Sequence, residues 1–367
     1  MKNKYLVIFM PSIEGGGVEK NLFIIANYLS SKNNNIILIT ASNGLDQKFK
    51  NINILKPKLS FLKNTSRKFK YIICLFELFK LILSKKNISV FSFQANLYCI
   101  TICKIFKINI IIRSNSSPSG WSKNIIKKFI FKYLLGLADK VIVNSTDFKR
   151  QFKLLFNINA KCIYNPLNKS EILKNSKEYV ELPFFKKNKK SLKIITIGRF
   201  TDQKDHLTLL KSLNEIKNKI NFKLLIVGRG INKHKMINYI LKNNLKNNIK
   251  ILPFQNNPYK YLRISDLFIL SSKFEGLPNV LLEAAVLKKF IISTNCPTGP
   301  REILQNGRGG FLFKVEDYIS LSQKILYYYM NQKKLKFKIN HNYKNLKRFD
   351  SNKNLQKYYN EIKKYTN

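Results

Sequence analysis

The sequence predicts an α/β protein built from two doubly wound parallel-sheet units in series. Three observations carry this. Short apolar runs alternate with amphipathic stretches of helical length, the pattern of parallel strands joined by crossover helices. The alternation pauses at a Lys- and Asn-rich stretch around 183–190 and then starts again. The 367 residues also exceed one ordinary domain of roughly 100–200 residues.

The elements follow in order. The apolar run 4–10 is a strand that meets a loop at 11–17. Apolar residues at helical spacing make 18–30 a helix, and 35–40 returns to a strand. Residues 71–84 have helical length and period, 88–93 read as a strand, 97–106 as a helix and 109–113 as a strand. A helix over 125–137 and a strand over 140–144 close the first series. Leu182-Pro183 and the polar run after it suit a linker. The second series has strands at 193–197, 223–227, 249–253, 267–270 and 290–294. Helices at 205–217, 233–242, 258–264 and 279–287 lie between them. The basic, aromatic stretch 335–365 is helical in parts. The expected domains are 1–185, 186–345 and a terminal helical segment 346–367. In such sheets ligands bind at the carboxyl ends of the strands, so the crevice between two units is the expected site.

Composition excludes several classes. With 45% hydrophobic and 13% aromatic residues the chain has the apolar content to fold. No apolar run reaches the ~18–20 residues of a membrane span, and the N-terminal stretch does not read as a signal peptide. The net charge is +47, yet only nine of the 67 basic residues are Arg. Nucleic-acid readers lean on Arg forks, and the excess is spread along the whole chain, so no nucleic-acid partner is expected. Compositional drift and affinity for anionic lipid are the two other readings of the charge. Five scattered cysteines without a CxxC pair fit a reducing compartment, with Cys99 and Cys103 on one helical face in the core. The three histidines are too dispersed for a metal site, and no metal is expected.

Four loops at strand ends carry candidate chemistry. Glu14-Gly15-Gly16-Gly17-Val18-Glu19-Lys20 joins the first strand to the first helix, where glycines let backbone amides approach an anion. A plain tight turn is the alternative. Gly198-Arg199-Phe200-Thr201-Asp202-Gln203-Lys204 holds the same place in the second series. There Arg199 and Lys204 suit a diphosphate through charge-assisted bonds or are ordinary surface charge. Glu275-Gly276-Leu277-Pro278-Asn279-Val280-Leu281-Leu282-Glu283 sets two carboxylates eight residues apart around a helix entry. One carboxylate suits a sugar and the other a ribose diol; a loop acid plus a solvated helical Glu is the alternative. Ala284-Ala285 after Glu283 favours a closely packed helix face. Cys296-Pro297-Thr298-Gly299-Pro300-Arg301-Glu302 makes a further helix entry, with Pro300 suited to a first helical residue.

Together these stretches resemble the retaining glycosyltransferases of family 4, which have the GT-B fold. The resembling elements are GGGVEK, GRFTDQKDHLTLL, LLIVGRG, EGLPNVLLE and NCPTGPREILQNGRGGFL, which extend from the first strand to about residue 313. The CPTGPREIL version is similar to bacterial enzymes that add hexoses or N-acetylhexosamines to lipid-linked or surface glycans. The resemblance implies that Arg199 and Lys204 hold the donor diphosphate and that Glu283 binds the ribose hydroxyls. It implies that Glu275 contacts the donor sugar, helped by the amides of Gly276, Leu277, Asn279 and Val280. Gly16 and Gly17 would bring the N-terminal domain to the donor phosphates and acceptor. A nucleotide-sugar donor, most simply a UDP-sugar, is implied, with a lipid-linked or oligosaccharide acceptor and no bound metal or other cofactor. Many family members carry a His in the N-terminal domain. Here the stretch reads Ile112-Arg113-Ser114-Asn115-Ser116-Ser117, so either Arg113, Ser114 and Asn115 replace its bonds or the sugar is held differently.

Two function classes compete with transfer: a nucleotide-sugar epimerase of the same architecture, and a basic lipid- or nucleic-acid-binding protein without chemistry. No acid near the N-terminal loop is an obvious inverting base, since Glu19 suits the first turn of a helix. Two stretches mix aromatics with lysines. One is 61–83, with Phe61, Leu62, Lys63, Phe69 and Lys70; the other is 123–137, which with Trp121 just before it combines Phe129, Phe131 and Tyr133 with Lys123, Lys127, Lys128 and Lys132. Such mixtures suit an anionic membrane surface, so the expected place is the cytoplasm, peripheral on the inner face of the membrane. The alternative is that their apolar residues face the sheet.

Overall fold

The computed structural model describes residues 4–13, 16–33, 35–44, 46–57, 66–115, 118, 124–186 and 191–366. Glu14, Gly15, Phe61, Leu62, Lys63, Ser116, Ser117, Trp121 and Lys123, singled out above, lie outside them. The elements run β1 (Tyr5–Phe9), α1 (Gly17–Ser30), β2 (Ile36–Ile39), β3 (Asn53–Leu55), α2 (Arg67–Ser84), β4 (Ile88–Ser92), α3 (Asn96–Ile105), β5 (Asn109–Ser114), α4 (Ile125–Gly136), β6 (Lys140–Val143), α5 (Thr146–Phe156) and β7 (Lys161–Cys162). They continue with α6 (Lys169–Ser176), α7 (Pro183–Lys186), β8 (Leu192–Ile197), α8 (His206–Asn214), β9 (Phe222–Val227), α9 (Lys233–Lys242), β10 (Ile249–Leu252) and α10 (Tyr259–Arg263). The last are β11 (Leu267–Leu270), α11 (Asn279–Val286), β12 (Phe290–Thr294), α12 (Pro300–Ile303), β13 (Phe311–Phe313), α13 (Tyr318–Asn331), α14 (Lys336–Asn345) and α15 (Ser351–Thr366).

The chain divides into two units, one of Met1–Pro166 with Ser351–Asn367 and one of Leu167–Asp350. In the first, seven parallel strands lie in the order β3-β2-β1-β4-β5-β6-β7. Successive side chains of a strand point to opposite faces, and the sequence uses both. Val7, Phe9, Ile37, Ile39, Val90 and Ile112 face α2, α3, α4 and α5. Leu6, Ile8, Leu38, Phe91 and Ile111 face α1 and α15. Each of these side chains, buried from water, contributes about 1.5–3 kcal/mol.

Helix α15 completes this unit. Tyr358 is buried in the same core, and its hydroxyl accepts from Arg113 Nε at 2.9 Å. Ser89 Oγ donates to the Tyr365 carbonyl at 2.6 Å. The second unit repeats the plan with six parallel strands ordered β10-β9-β8-β11-β12-β13. Counted within the unit this is 3-2-1-4-5-6, the doubly wound order whose ligands sit at the strand carboxyl ends. Its principal core joins Leu192, Ile194, Leu224, Ile226, Ile269 and Ile292 to α8, α9 and α13.

The division falls at Pro166/Leu167, earlier than the polar stretch that reads as a linker. Helix α6 lies against α10 and α11. Asn257 Nδ2 donates to the Asn175 carbonyl at 2.8 Å and to Glu178 Oε2 at 2.6 Å, and Lys260 pairs with Glu178. Residues 167–182 therefore belong to the second unit despite their polar composition. At the other end Leu167 N–H donates to the Phe349 carbonyl at 2.9 Å, which holds 346–350 in the same unit. Helix α2 starts four residues before its apolar period does, because Ser66 Oγ accepts from Phe69 N–H and caps it.

Candidate functional site

Four loops of the second unit leave the carboxyl ends of its strands. The loop after β8 carries Gly198 and Arg199, then turns into α8. Asp205 makes that turn in the left-handed region at φ +43°, which Asp tolerates better than most residues. Its carboxylate caps α8 by accepting from Thr208 N–H at 3.3 Å and Thr208 Oγ1 at 2.7 Å. The turn is seated on β9. A Cβ on Gly228 would fall 1.9 Å from the Gly198 carbonyl oxygen, so the two strand ends meet only because this residue is glycine.

Lys204, one residue before that cap, extends to Glu275, with Nζ 2.5 Å from Oε1. Glu275 follows β11 and is 7% exposed. The same oxygen accepts from Ser272 Oγ at 2.6 Å, so the carboxylate is held from two directions. The backbone around it is held as well. Thr298 Oγ1 donates to the Glu275 carbonyl at 2.5 Å, and Thr294 Oγ1 to the Ser272 carbonyl at 2.7 Å. Gly299 sits at φ +81°, and a Cβ there would lie 1.9 Å from the Gly276 carbonyl oxygen. The loop before α12 is thus pressed onto the loop before α11, and only glycine permits the approach.

Arg199 is exposed. It joins the cluster through Gln203: Arg199 Nη2 donates to Gln203 Oε1 at 3.4 Å, and Gln203 Nε2 donates to the Phe274 carbonyl at 3.0 Å. Glu283 stands on α11, two turns beyond Gly276, and is also 7% exposed. Tyr259 OH donates to its Oε1 at 3.2 Å. Leu277 and Pro278 are buried at the helix entry, with Asn279 and Val280 half-buried beyond them. The structure thus brings Lys204 and Glu275 into contact and links Arg199 to them through one side chain. Glu283 is reached by a different neighbour.

His206 opens α8 beside Lys204 and is 4% exposed. Its ring meets Phe200 edge to face at 5.4 Å. Burial, reinforced by the Lys204 charge, lowers its pKa to about 3, so it is a neutral support under the cationic loop. Cys296 is buried near Glu275, and burial followed by that charge raises its thiol to about 12. Among the described residues no three His, Cys, Asp or Glu side chains gather as a metal site requires.

The first unit's candidates behave differently. Gly16 is the N-cap of α1, and its N–H donates to Glu19 Oε2 at 2.9 Å. Gly17 is exposed at the first helical position. Glu19 is therefore a buried capping carboxylate on the first turn. Arg113 is fully buried. Its Nη2 donates to Asn165 Oδ1 at 2.6 Å and its Nη1 bonds Asn115 Oδ1, besides the bond to Tyr358. The guanidinium is committed to these interior bonds.

Sequence reasoning missed Ser272, Tyr259 and the bridging role of Gln203. Ser272 stands only three residues before its partner Glu275. Tyr259 is 24 residues from its partner.

The chain thus holds two Rossmann-like parallel-sheet units, the second with a lysine–carboxylate corner at its strand ends. Residues 181–345, within the second unit, match the family model described as glycosyl transferases group 1. The chain is 37% identical over 218 residues to an uncharacterized glycosyltransferase of Methanocaldococcus jannaschii, covering 56% of this chain and 53% of that protein. It is 28% identical to the N-acetylgalactosamine-N,N'-diacetylbacillosaminyl-diphospho-undecaprenol 4-alpha-N-acetylgalactosaminyltransferase of Campylobacter jejuni, covering 59% of each. It thus spans little more than half the length of these two relatives. A longer match, 27% identical over 83% of this chain and 84% of the relative, is to the amylovoran biosynthesis glycosyltransferase AmsD of Erwinia amylovora. Among solved structures, Anabaena HepE in complex with UDP matches with a TM-score of 0.76, over 98% of this chain and 100% of that one. At 15% identity that likeness concerns the fold.

Proposed function

We propose that the protein transfers a hexose or N-acetylhexosamine from a UDP-sugar to a lipid-linked or oligosaccharide acceptor, with retention, in bacterial surface polysaccharide or glycan synthesis. The observation that carries this is the Lys204–Glu275 pair, a half-buried lysine on a buried carboxylate at the strand ends, with Arg199 exposed beside it. The UDP in the structural neighbour supports the nucleotide, and the undecaprenol-linked substrate of the Campylobacter relative supports the acceptor class.

In this reading Arg199 and Lys204 meet the diphosphate. Glu275 performs two tasks: it fixes the ammonium before the donor arrives, and its carboxylate then accepts from sugar hydroxyls. Ser272 and Thr298 hold the loop, so little reorganisation is left for the moment of reaction. Glu283 takes the ribose hydroxyls, steadied by Tyr259. The amides of Gly276, Leu277, Asn279 and Val280 face the sugar at the entry of α11, and Gly16 and Gly17 approach the phosphates. With Glu19 occupied as a cap, the leaving phosphate oxygen takes the acceptor proton on the face it departs from. That order of events retains the anomeric configuration.

The test is a screen of UDP-, GDP- and ADP-sugars with a lipid diphosphate acceptor, read by product mass and by NMR of fresh product. Consumption of a UDP-sugar into a retained glycoside is the expected result. An inverted anomeric centre, or an epimerised donor formed without acceptor, would overturn the proposal.

A further inference from the structure

The two helical layers of the first unit differ in one respect. Every exposed large apolar side chain that this unit shows among the described residues stands on α2–α5 or on the turns that end α3 and α4. Helices α1 and α15, on the other face of the sheet, contribute none. Helix α4 is the extreme case, burying Leu135 alone among its 12 residues. A helix that only covers a sheet hides its apolar stripe. Here Ile125 is 82% and Phe129 70% exposed, with Ile126 and Tyr133 similarly open. The neighbouring helices add Ile72 and Leu154.

The same four helices carry eleven basic and two acidic residues. Lys127, Lys128 and Lys132 stand exposed among the apolar side chains of α4. An open groove of about 540 Å³ continues the surface between the ends of α4 and α5, with Phe129, Tyr133 and Lys132 at its rim.

We propose that the α2–α5 layer is a docking face for anionic lipid bilayer, with α4 as its principal insertion element. The charge selects this occupant. A second copy would bring one positive layer against another, whereas anionic headgroups complement the lysines while the isoleucines and phenylalanine enter the acyl boundary. No helix among the described residues is long and apolar enough to cross the membrane, so the contact is interfacial. The proposal deepens the reading of a lipid-linked acceptor, and it rests on that reading for its purpose, though not for its geometry.

The experiment is flotation of the full chain with vesicles of equal parts phosphatidylglycerol and phosphatidylcholine, and with phosphatidylcholine alone, at low and high salt. Three proteins are compared: wild type, Lys127→Glu/Lys128→Glu/Lys132→Glu, and the equal-charge control Lys242→Glu/Lys246→Glu/Lys250→Glu in the second unit. Wild type and control should float with anionic vesicles at low salt, and the α4 variant should bind on the order of 100-fold more weakly. Ile126→Ser/Phe129→Ser should also detach, including at low salt, which separates insertion from charge alone. Equal loss in control and α4 variants would overturn the proposal, as would wild type that stays unfloated. A dimer split by Phe129→Ser in place of flotation would assign the face to a protein contact and overturn it too. UDP titration on the same proteins is independent: flotation lost with UDP binding intact indicts only the docking face, and the converse indicts only the transfer reading.

Discussion

Two arginines stand near the carboxyl ends of parallel strands, one in each unit, and they have opposite fates. Arg113 ends β5 fully buried, with Tyr358, Asn115 and Asn165 around its guanidinium. Arg199 follows β8 in the open, with a 3.4 Å bond to Gln203. From sequence both are cations at a strand end. The structure separates them by what surrounds them. The first is a rivet between β5 and the returning helix α15, and the second is a charge presented to solvent at the mouth of the sheet. Position at a strand end nominates a residue, and the neighbours decide whether it holds the fold or meets a ligand.

The largest expected effect falls on the rivet. Arg113→Ala removes the donor to the Tyr358 hydroxyl and to the Asn115 and Asn165 side-chain oxygens, and should cost about 3–5 kcal/mol of unfolding free energy in urea. A loss below 1 kcal/mol would dissolve the contrast between the two arginines. Next comes pH. His206 is held neutral in the fold, near pKa 3, against an unfolded value of about 6.5. Its folded pKa is depressed, so the unfolded chain binds more protons between these values and stability falls as pH falls. Stability should drop by about 3 kcal/mol from pH 7 to pH 4 through this residue. His206→Gln should flatten that part of the profile; an unchanged slope would remove His206 from the loop's support.

The Lys204–Glu275 pair is expected to show its coupling in a double-mutant cycle. Lys204→Met and Glu275→Gln should each destabilise, and together lose less than the sum, by about 1–3 kcal/mol. Additive losses would mean the two side chains do not depend on one another. The smallest effect belongs to Arg199→Ala, which should leave stability within about 0.5 kcal/mol while weakening UDP binding.

Much of the fold was legible because strands and crossover helices write their periods plainly. Strand β11 and helix α9 match the sequence reading to the residue. Most of the elements missed are short or polar; α13, with Leu321, Ile325 and Tyr328 buried along its 14 residues, is neither. Strand β7 has two residues, too few to show a period. Helix α5 packs on Phe148, Phe152 and Phe156, a true four-residue spacing obscured by Lys149, Arg150 and Lys153 between them. The polar helix α6 reads as part of the first domain because its attachment to α10 runs through Asn257 and Glu178, 79 residues apart. At the candidate site, the loop motifs nominated Lys204, Glu275 and Glu283. The partners that fix them come from other loops, and their hydrogen bonds leave no local trace.

The most direct measurement is calorimetric titration of UDP into wild type and Glu283→Ala. Glu283 is buried, held by Tyr259 and separate from the Lys204–Glu275 contact, so its removal tests the donor site away from the cationic corner. Loss of a charged hydrogen bond to the ribose should weaken binding by roughly 10–100-fold, about 1.5–3 kcal/mol. UDP binding of equal strength to both proteins would contradict the donor-site assignment.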